Sequence, residues 1–206
     1  TTKIKWPKIL GYSTRSAPKS PTLKRMMGSP SRAFVLAGGR ATRMGFDKAR
    51  APFFSEEGVL ISLAIATALP LVSLGLDVTI VRRSDSTVGP WTLPDNQTLT
   101  EAIEPDAPSH HPLWGVGFAL SQTGRDALIV PCDMPWVSVE SWRRILDQNA
   151  PVVAVGDDGV HPLLGRFPTT WQAKAMAFAG SGGRVSSFAD EASHILLPDD
   201  ELRNAN

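Results

Sequence analysis

From residue 32 onward, short apolar runs alternate with longer segments of mixed polarity, and this alternation is what most restricts the fold. Runs of four to eight apolar residues bounded by Gly, Pro or polar clusters read as strands buried on both faces. Such strands need helices above and below them, which crossover connections supply. The pattern predicts strands at 33–37, 76–81, 127–131, 152–155 and 194–197, with helices at 58–69, 113–123, 138–149, 169–179 and 184–192. The fold class is therefore α/β, three-layered, with a mostly parallel central sheet.

Two polar positions stand out against this frame. Gly38 and Asp133 each follow a predicted strand directly, and ligands in open α/β sheets bind beyond the carboxyl ends of strands, so both could face one crevice. Ser138 suits the N-cap of the helix after Asp133, and Glu140 complements the positive end of that helix.

Composition narrows the function. The chain has 206 residues, enough for one ordinary domain, and 42% of them are apolar. Its net charge of +1 hides an asymmetry: residues 1–32 hold eight Lys and Arg and no acid, leaving 13 basic against 20 acidic residues beyond them. We read 1–32 as a basic leader outside the fold and 33–206 as the functional domain. A body of net charge about −7 argues against nucleic acid as a partner, because backbone binding needs a cationic face. The longest apolar stretch, Gly58 to Leu76, includes Ser62, Thr67, Pro70 and Ser73 and falls short of a membrane span. Cys132 is the single cysteine, so neither an internal disulfide nor a zinc cluster is available, and a cytoplasmic location is expected.

The most informative segment is Leu36-Ala37-Gly38-Gly39-Arg40-Ala41-Thr42-Arg43-Met44-Gly45-Phe46-Asp47-Lys48. Glycines let backbone amides approach an anion, and two cations in the same loop can neutralise a polyphosphate. The spacing is neither that of a P-loop nor that of a dinucleotide-binding fingerprint. A second segment, Leu128-Ile129-Val130-Pro131-Cys132-Asp133-Met134-Pro135, is a buried strand ending in one carboxylate, a hard oxygen ligand suited to Mg²⁺. The adjacent His110 and His111 have no accompanying ligand cluster and read poorly as a metal site. Gly180 to Arg184 reads as a helix-to-helix connection.

Leu-Ala-Gly-Gly-x-x-x-Arg-Met-Gly-x-Asp-Lys at 36–48 resembles the signature loop of the molybdenum cofactor guanylyltransferases, and Pro-Cys-Asp-x-Pro at 131–135 resembles their second motif. The resemblance implies a sheet of the nucleoside-diphosphate-sugar transferase-like type. It implies that Leu36, Ala37, Gly38 and Gly39 hold guanosine and phosphates, that Arg43 and Lys48 act on the triphosphate, and that Asp133 binds Mg²⁺. Glu104 and His111 stand where the family usually has an aspartate that contacts nucleotide and a glycine; the latter places a β-carbon where backbone would approach closely. His161, in a His-Pro segment that resembles a family strand leading back to the active site, and Asn204 and Asn206, in an Asn-x-Asn element, are the implied substrate ligands.

The activity so implied joins GMP from Mg-GTP to the phosphate of molybdopterin, with cofactor-delivery proteins or molybdoenzyme chaperones as partners. The attacking phosphate is already ionised near neutral pH, so positioning and charge neutralisation suffice and no nucleophile-base triad is needed. Two alternatives stay open: transfer of CMP or another nucleotide to a phosphorylated metabolite, and a catalytically weak nucleotide-binding paralogue. Gly-Gly in the loop, rather than the Ala-Gly common in the cytidylyl sibling, favours guanine.

Overall fold

A computed structural model describes residues 32–38, 47–55, 58–85, 89–107 and 109–205. Among these residues, strands β1 (Arg32–Leu36), β4 (Asp77–Arg83), β5 (Thr100–Glu104), β6 (Ala127–Pro131), β7 (Val152–Gly156), β8 (Gly159–Phe167) and β9 (Ser193–Leu196) form one sheet. Its order is β5-β4-β1-β6-β8-β7-β9. Only β8 runs against the rest, pairing antiparallel with β6 and β7. A separate hairpin joins β2 (Pro52–Phe54) to β3 (Leu60–Ser62). The helices are α1 (Leu63–Ser73), α2 (Pro112–Ser121), α3 (Val139–Leu146), α4 (Gln172–Ser181) and α5 (Val185–Phe188).

The two-residue period of the central strands divides their side chains between two cores. Ala33, Val35, Leu128 and Val130 face α1 and α3, meeting Ile65, Leu71, Trp142 and Ile145. Phe34, Val81, Ala127 and Ile129 face the other way, toward Leu113, Val116, Ala175 and Phe188 of α2, α4 and α5. This gives the three layers expected from the sequence.

All five predicted strands are present, and four strands, β2, β3, β5 and β8, were missed by the pattern. β5, Thr-Glu-Ala-Ile-Glu, is an edge strand without a buried apolar run: Ile103 is exposed and Glu104 is its buried residue. β8 contains Pro162 and two glycines, which depress strand propensity. Gly165 is required there, because a Cβ would lie 2.1 Å from the Val152 carbonyl oxygen. The helix expected at 58–69 begins only at Leu63. Residues 60–62 form β3, and Ser62 caps the helix by accepting from the Ile65 amide at 3.4 Å. Ser138 caps α3 as expected, accepting from Ser141 at 3.1 Å. The Gly180–Arg184 segment does connect two helices, with Gly182 in the left-handed region.

The chain leaves β1 for β4 on one side and returns to β6 on the other, so the strand order switches at the β1–β6 pair. That is where an open parallel sheet offers a crevice at its carboxyl edge. No helix among the described residues is long and apolar enough to cross a membrane.

Candidate nucleotide site

The sheet ladder continues past the ends of β1 and β6: Ala37 donates to the Val81 carbonyl at 2.7 Å and Cys132 to the Leu36 carbonyl at 3.0 Å. Gly38 and Asp133 therefore emerge side by side at the switch point. Gly39 and Arg43 lie outside the described residues. When the chain is described again at Asp47, that carboxylate accepts from the Ala49 amide at 3.0 Å and starts a single 3-10 turn, Lys48–Arg50. Ala49 is buried beneath the turn, and Lys48 reaches back so that its Nζ donates to Asp133 Oδ2 at 2.8 Å.

Asp133 is held at the backbone from several sides. Thr67 of α1 donates to the Cys132 carbonyl at 2.8 Å, and the Ala205 amide donates to the Asp133 carbonyl at 2.9 Å. The latter contact brings the exposed Asn204 beside the loop; Asn206 lies outside the described residues. The Cys132 side chain is enclosed, and burial, followed by the negative charges of Asp133 and Asp47, pushes its thiol pKa up to about 12. That environment suits packing rather than nucleophilic chemistry.

Glu104 ends β5 and is only 9% exposed. Its carboxylate lies against α2, where a Cβ on Gly115 would come within 3.0 Å of Oε2. Burial raises its pKa, with Arg83 acting in the opposite direction and Asp85 adding to the rise. Arg83 itself went unnoticed in the sequence. It ends β4, donates from Nε to Asp85 Oδ1 at 2.9 Å, and donates from Nη1 to Nδ1 of His110. Its stem packs against the backbone of Gly38, where a Cβ would sit 3.0 Å from Arg83 Cγ. No signal in the sequence marked it, because its place depends on β4 lying beside β1.

His111 replaces glycine without strain, since its backbone is extended. Its Nδ1 accepts from the Leu113 amide at 3.3 Å, capping α2, and its Nε2 donates to the Gly183 carbonyl at 2.7 Å. These partners make it a structural tie between α2 and the α4–α5 connection. His161, near the start of β8, has Nε2 3.0 Å from Asp158 Oδ1. Because β8 opposes β6, with Gly165 paired to Ile129, residue 161 lies at the level beyond the carboxyl end of β6. Near it, Asp157, Asp158, Asp199, Asp200, Leu202 and Arg203 line an open groove of about 430 Å³. Asp199 accepts from the Asp157 amide at 2.6 Å; hydrogen bonding to Asp199 raises the pKa of Asp157, while the bonds Asp199 accepts lower its own.

Residues 33–195 match the model of the MobA-like NTP transferase domain. The chain belongs to this family. It is a nucleotidyltransferase of the MobA-like type, a group that typically works with a divalent metal. No curated protein sequence matches it. Among solved structures, the MobA-like domain is similar to Rv0371c from Mycobacterium tuberculosis H37Rv, at 19% identity over 82% of this chain and 90% of that one, with a TM-score of 0.63. A complex of Rv0371c with manganese matches at 0.58, with 19% identity over 81% and 88% of the two chains. The molybdopterin-guanine dinucleotide biosynthesis protein A from Archaeoglobus fulgidus matches at 16% identity over 84% and 85%, with a TM-score of 0.58. At these identities the structures speak for the fold.

Proposed function

We propose that this nucleotidyltransferase transfers GMP from Mg-GTP to the phosphate of molybdopterin. The observation that carries the reading is the Lys48–Asp133 pair at the switch point, directly beside Gly38. A cation and a carboxylate side by side at a strand-end glycine loop suit a metal-bound triphosphate. The Gly38-Gly39 sequence and the resemblance of the two motifs to the guanylyltransferases favour GTP and molybdopterin over other pairs.

The donor set fits Mg²⁺, which takes one or two carboxylates and completes its shell with phosphate oxygens and water. Asp133 supplies one partly exposed carboxylate, whose Oδ1 is not used by Lys48, and no cluster of three metal-ligating side chains occurs among the described residues. The metal, when bound, neutralises phosphate charge and polarises the α-phosphorus. Lys48 exchanges its contact with Asp133 for a phosphate oxygen and offsets charge as the α–β bridge breaks. Gly38 offers its backbone to the phosphates, Leu36, Ala37, Gly39 and Glu104 are the candidate ligands of the nucleotide, and Arg43 is the second candidate cation for the triphosphate. A phosphate oxygen of the acceptor attacks the α-phosphorus, the bond to the bridging oxygen breaks, and pyrophosphate leaves. His161, Asn204 and Asn206 belong to the acceptor side. The acidic groove at Asp157 and Asp199 repels an anion, so the acceptor phosphate lies toward Lys48 and the rest of the molecule toward the groove. Delivery proteins or molybdoenzyme chaperones would bring molybdopterin and take the product.

Calorimetric titration of the full chain with GTP, CTP, ATP and UTP in the presence of Mg²⁺, followed by pyrophosphate release with molybdopterin, tests the reading. Preference for GTP together with acceptor-dependent release supports it. Preference for another nucleotide, or binding without release, replaces it with one of the alternatives.

A further inference from the structure

We infer that Arg50, stacked on Trp91, is a positioning residue that fixes the approach of Lys48 to the reacting phosphates. The inference rests on the reading of Lys48 as a phosphate ligand.

The 3-10 turn that carries Lys48 is three residues long and has little means of holding itself. Its backbone contributes the contacts Arg50 to Asp47 at 2.9 Å and Ala51 to Lys48 at 3.0 Å. Turns of this type have poorer hydrogen-bond geometry than α-helix and are marginal in isolation. Its direction is therefore set by its anchors. Ala49 points into the core at 1% exposure, and Asp47 caps the start. At the far end the Arg50 guanidinium carbon lies 4.5 Å from the centroid of the Trp91 ring.

Trp91 is a fixed platform. It is 2% exposed, its Nε1 donates to Glu101 Oε2 at 2.7 Å, and its carbonyl accepts from Leu99 at 2.9 Å. The same Glu101 oxygen accepts from the Gly89 amide at 3.1 Å, while Oε1 lies 2.7 Å from Arg82 Nε. Glu101 is on β5 and Arg82 on β4, so the indole is referenced to the central sheet. Burial opposes ionisation of Glu101, but the bonds from Arg82, Gly89 and Trp91 prevail and lower its pKa, keeping it a carboxylate at neutral pH. The chain of contacts runs from sheet to Glu101, to Trp91, to Arg50, and through two residues of backbone to Lys48.

A guanidinium suits this place because it stays charged and lies flat on an aromatic face. Its loss would remove the side-chain anchor at the far end of the turn, leaving the backbone bond that the Ala51 carbonyl accepts from the Leu63 amide at 2.9 Å to limit movement of Lys48 there. A misplacement of about 1 Å in a group that acts on the transition state can cost on the order of a hundred-fold in rate. The effect belongs in turnover, since nucleotide binding draws on many other contacts.

Arg50→Met tests this, because it keeps the apolar stem and removes the stacking plane. We expect pyrophosphate release from Mg-GTP and molybdopterin to lose roughly ten-fold in kcat, with KM for GTP changed less than about two-fold. In a Lys48→Ala background the same substitution should change kcat little, because the group being positioned is gone. Trp91→Phe, which preserves a ring face, should keep more activity than Trp91→Leu. An equal loss in both backgrounds, or an unchanged kcat in Arg50→Met, overturns the inference. Impaired Lys48→Ala beside a fully active Arg50→Met would remove the positioning role alone, whereas a fully active Lys48→Ala would remove the reading beneath it. A crystal structure of Arg50→Met checks the same point without an acceptor: a displaced turn supports the role, and a superimposable Lys48–Asp133 pair overturns it.

Discussion

Lys48 and Asp133, 85 residues apart in sequence, meet at 2.8 Å where the strand order of the sheet reverses. Their side chains keep 27% and 20% of their exposure, so water screens the attraction and the pair contributes only about 0–1 kcal/mol to stability. Removing either partner should therefore separate folding from activity. Lys48→Ala should lower turnover ten-fold or more, equivalent to about 1.4 kcal/mol, and Asp133→Ala should abolish metal-dependent turnover. Denaturant unfolding should show each variant within about 1 kcal/mol of the parent. Near-normal pyrophosphate release in both would remove the pair from the mechanism.

Glu104 makes a prediction about pH. Its pKa in the folded protein is raised by burial, so between the ordinary carboxylate value and the raised one the native state binds more protons than the unfolded chain. Its contribution to stability is then fully present at acid pH and is lost as pH rises through the raised value. Glu104→Gln should remove this fall, giving a flatter melting profile from the ordinary carboxylate value upward to the raised one. A parent and variant whose melting temperatures stay parallel across that window would contradict it.

His111→Ala should destabilise the protein by about 1 kcal/mol through loss of the α2 cap, and more if the tie to Gly183 adds to it. His111→Asn can still accept from the helix amides and should recover most of the cap. Unfolding midpoints for the three proteins decide the matter; equal midpoints would show that the cap is idle.

Cys132 should resist alkylation by iodoacetamide in the native protein at pH 7 to 9, since its pKa is about 12 and its side chain is enclosed. Unfolding in denaturant should restore reactivity. Mass spectrometry of peptides containing Cys132 reads both states, and rapid modification of native protein would mean that the loop opens.

How legible each part was depends on whether its cause is local. β1 and β6 announced themselves because both faces are buried and each carries an uninterrupted apolar run, 33–36 and 127–131. β5 and the β2–β3 hairpin did not, since one is a charged edge strand with no buried apolar run and the other merges in sequence with the apolar start of α1. Lys48 and Asp133 were readable from their motifs, but their contact follows from the adjacency of β1 and β6. Arg83 and Trp91 were invisible for the same reason: one depends on β4 lying beside β1, and the other on a carboxylate ten residues away that the β4–β5 pairing brings beneath it.

The backbone contact between Ala205 and Asp133 has a consequence for the order in which the protein assembles. Strands β1, β4, β5 and β6 and helices α1 to α3 all lie within residues 32–146, yet the carbonyl of Asp133 gains its partner only once Ala205 is present. Contacts that close long loops form late, because the chain must lose that entropy before the contact rewards it. A nascent chain that has reached α3 would thus hold four of the seven strands beside an unfinished loop. Proteolytic nicking after Leu202 would return the mature protein toward that state, leaving the core in place and loosening the carboxylate on which the proposed chemistry depends.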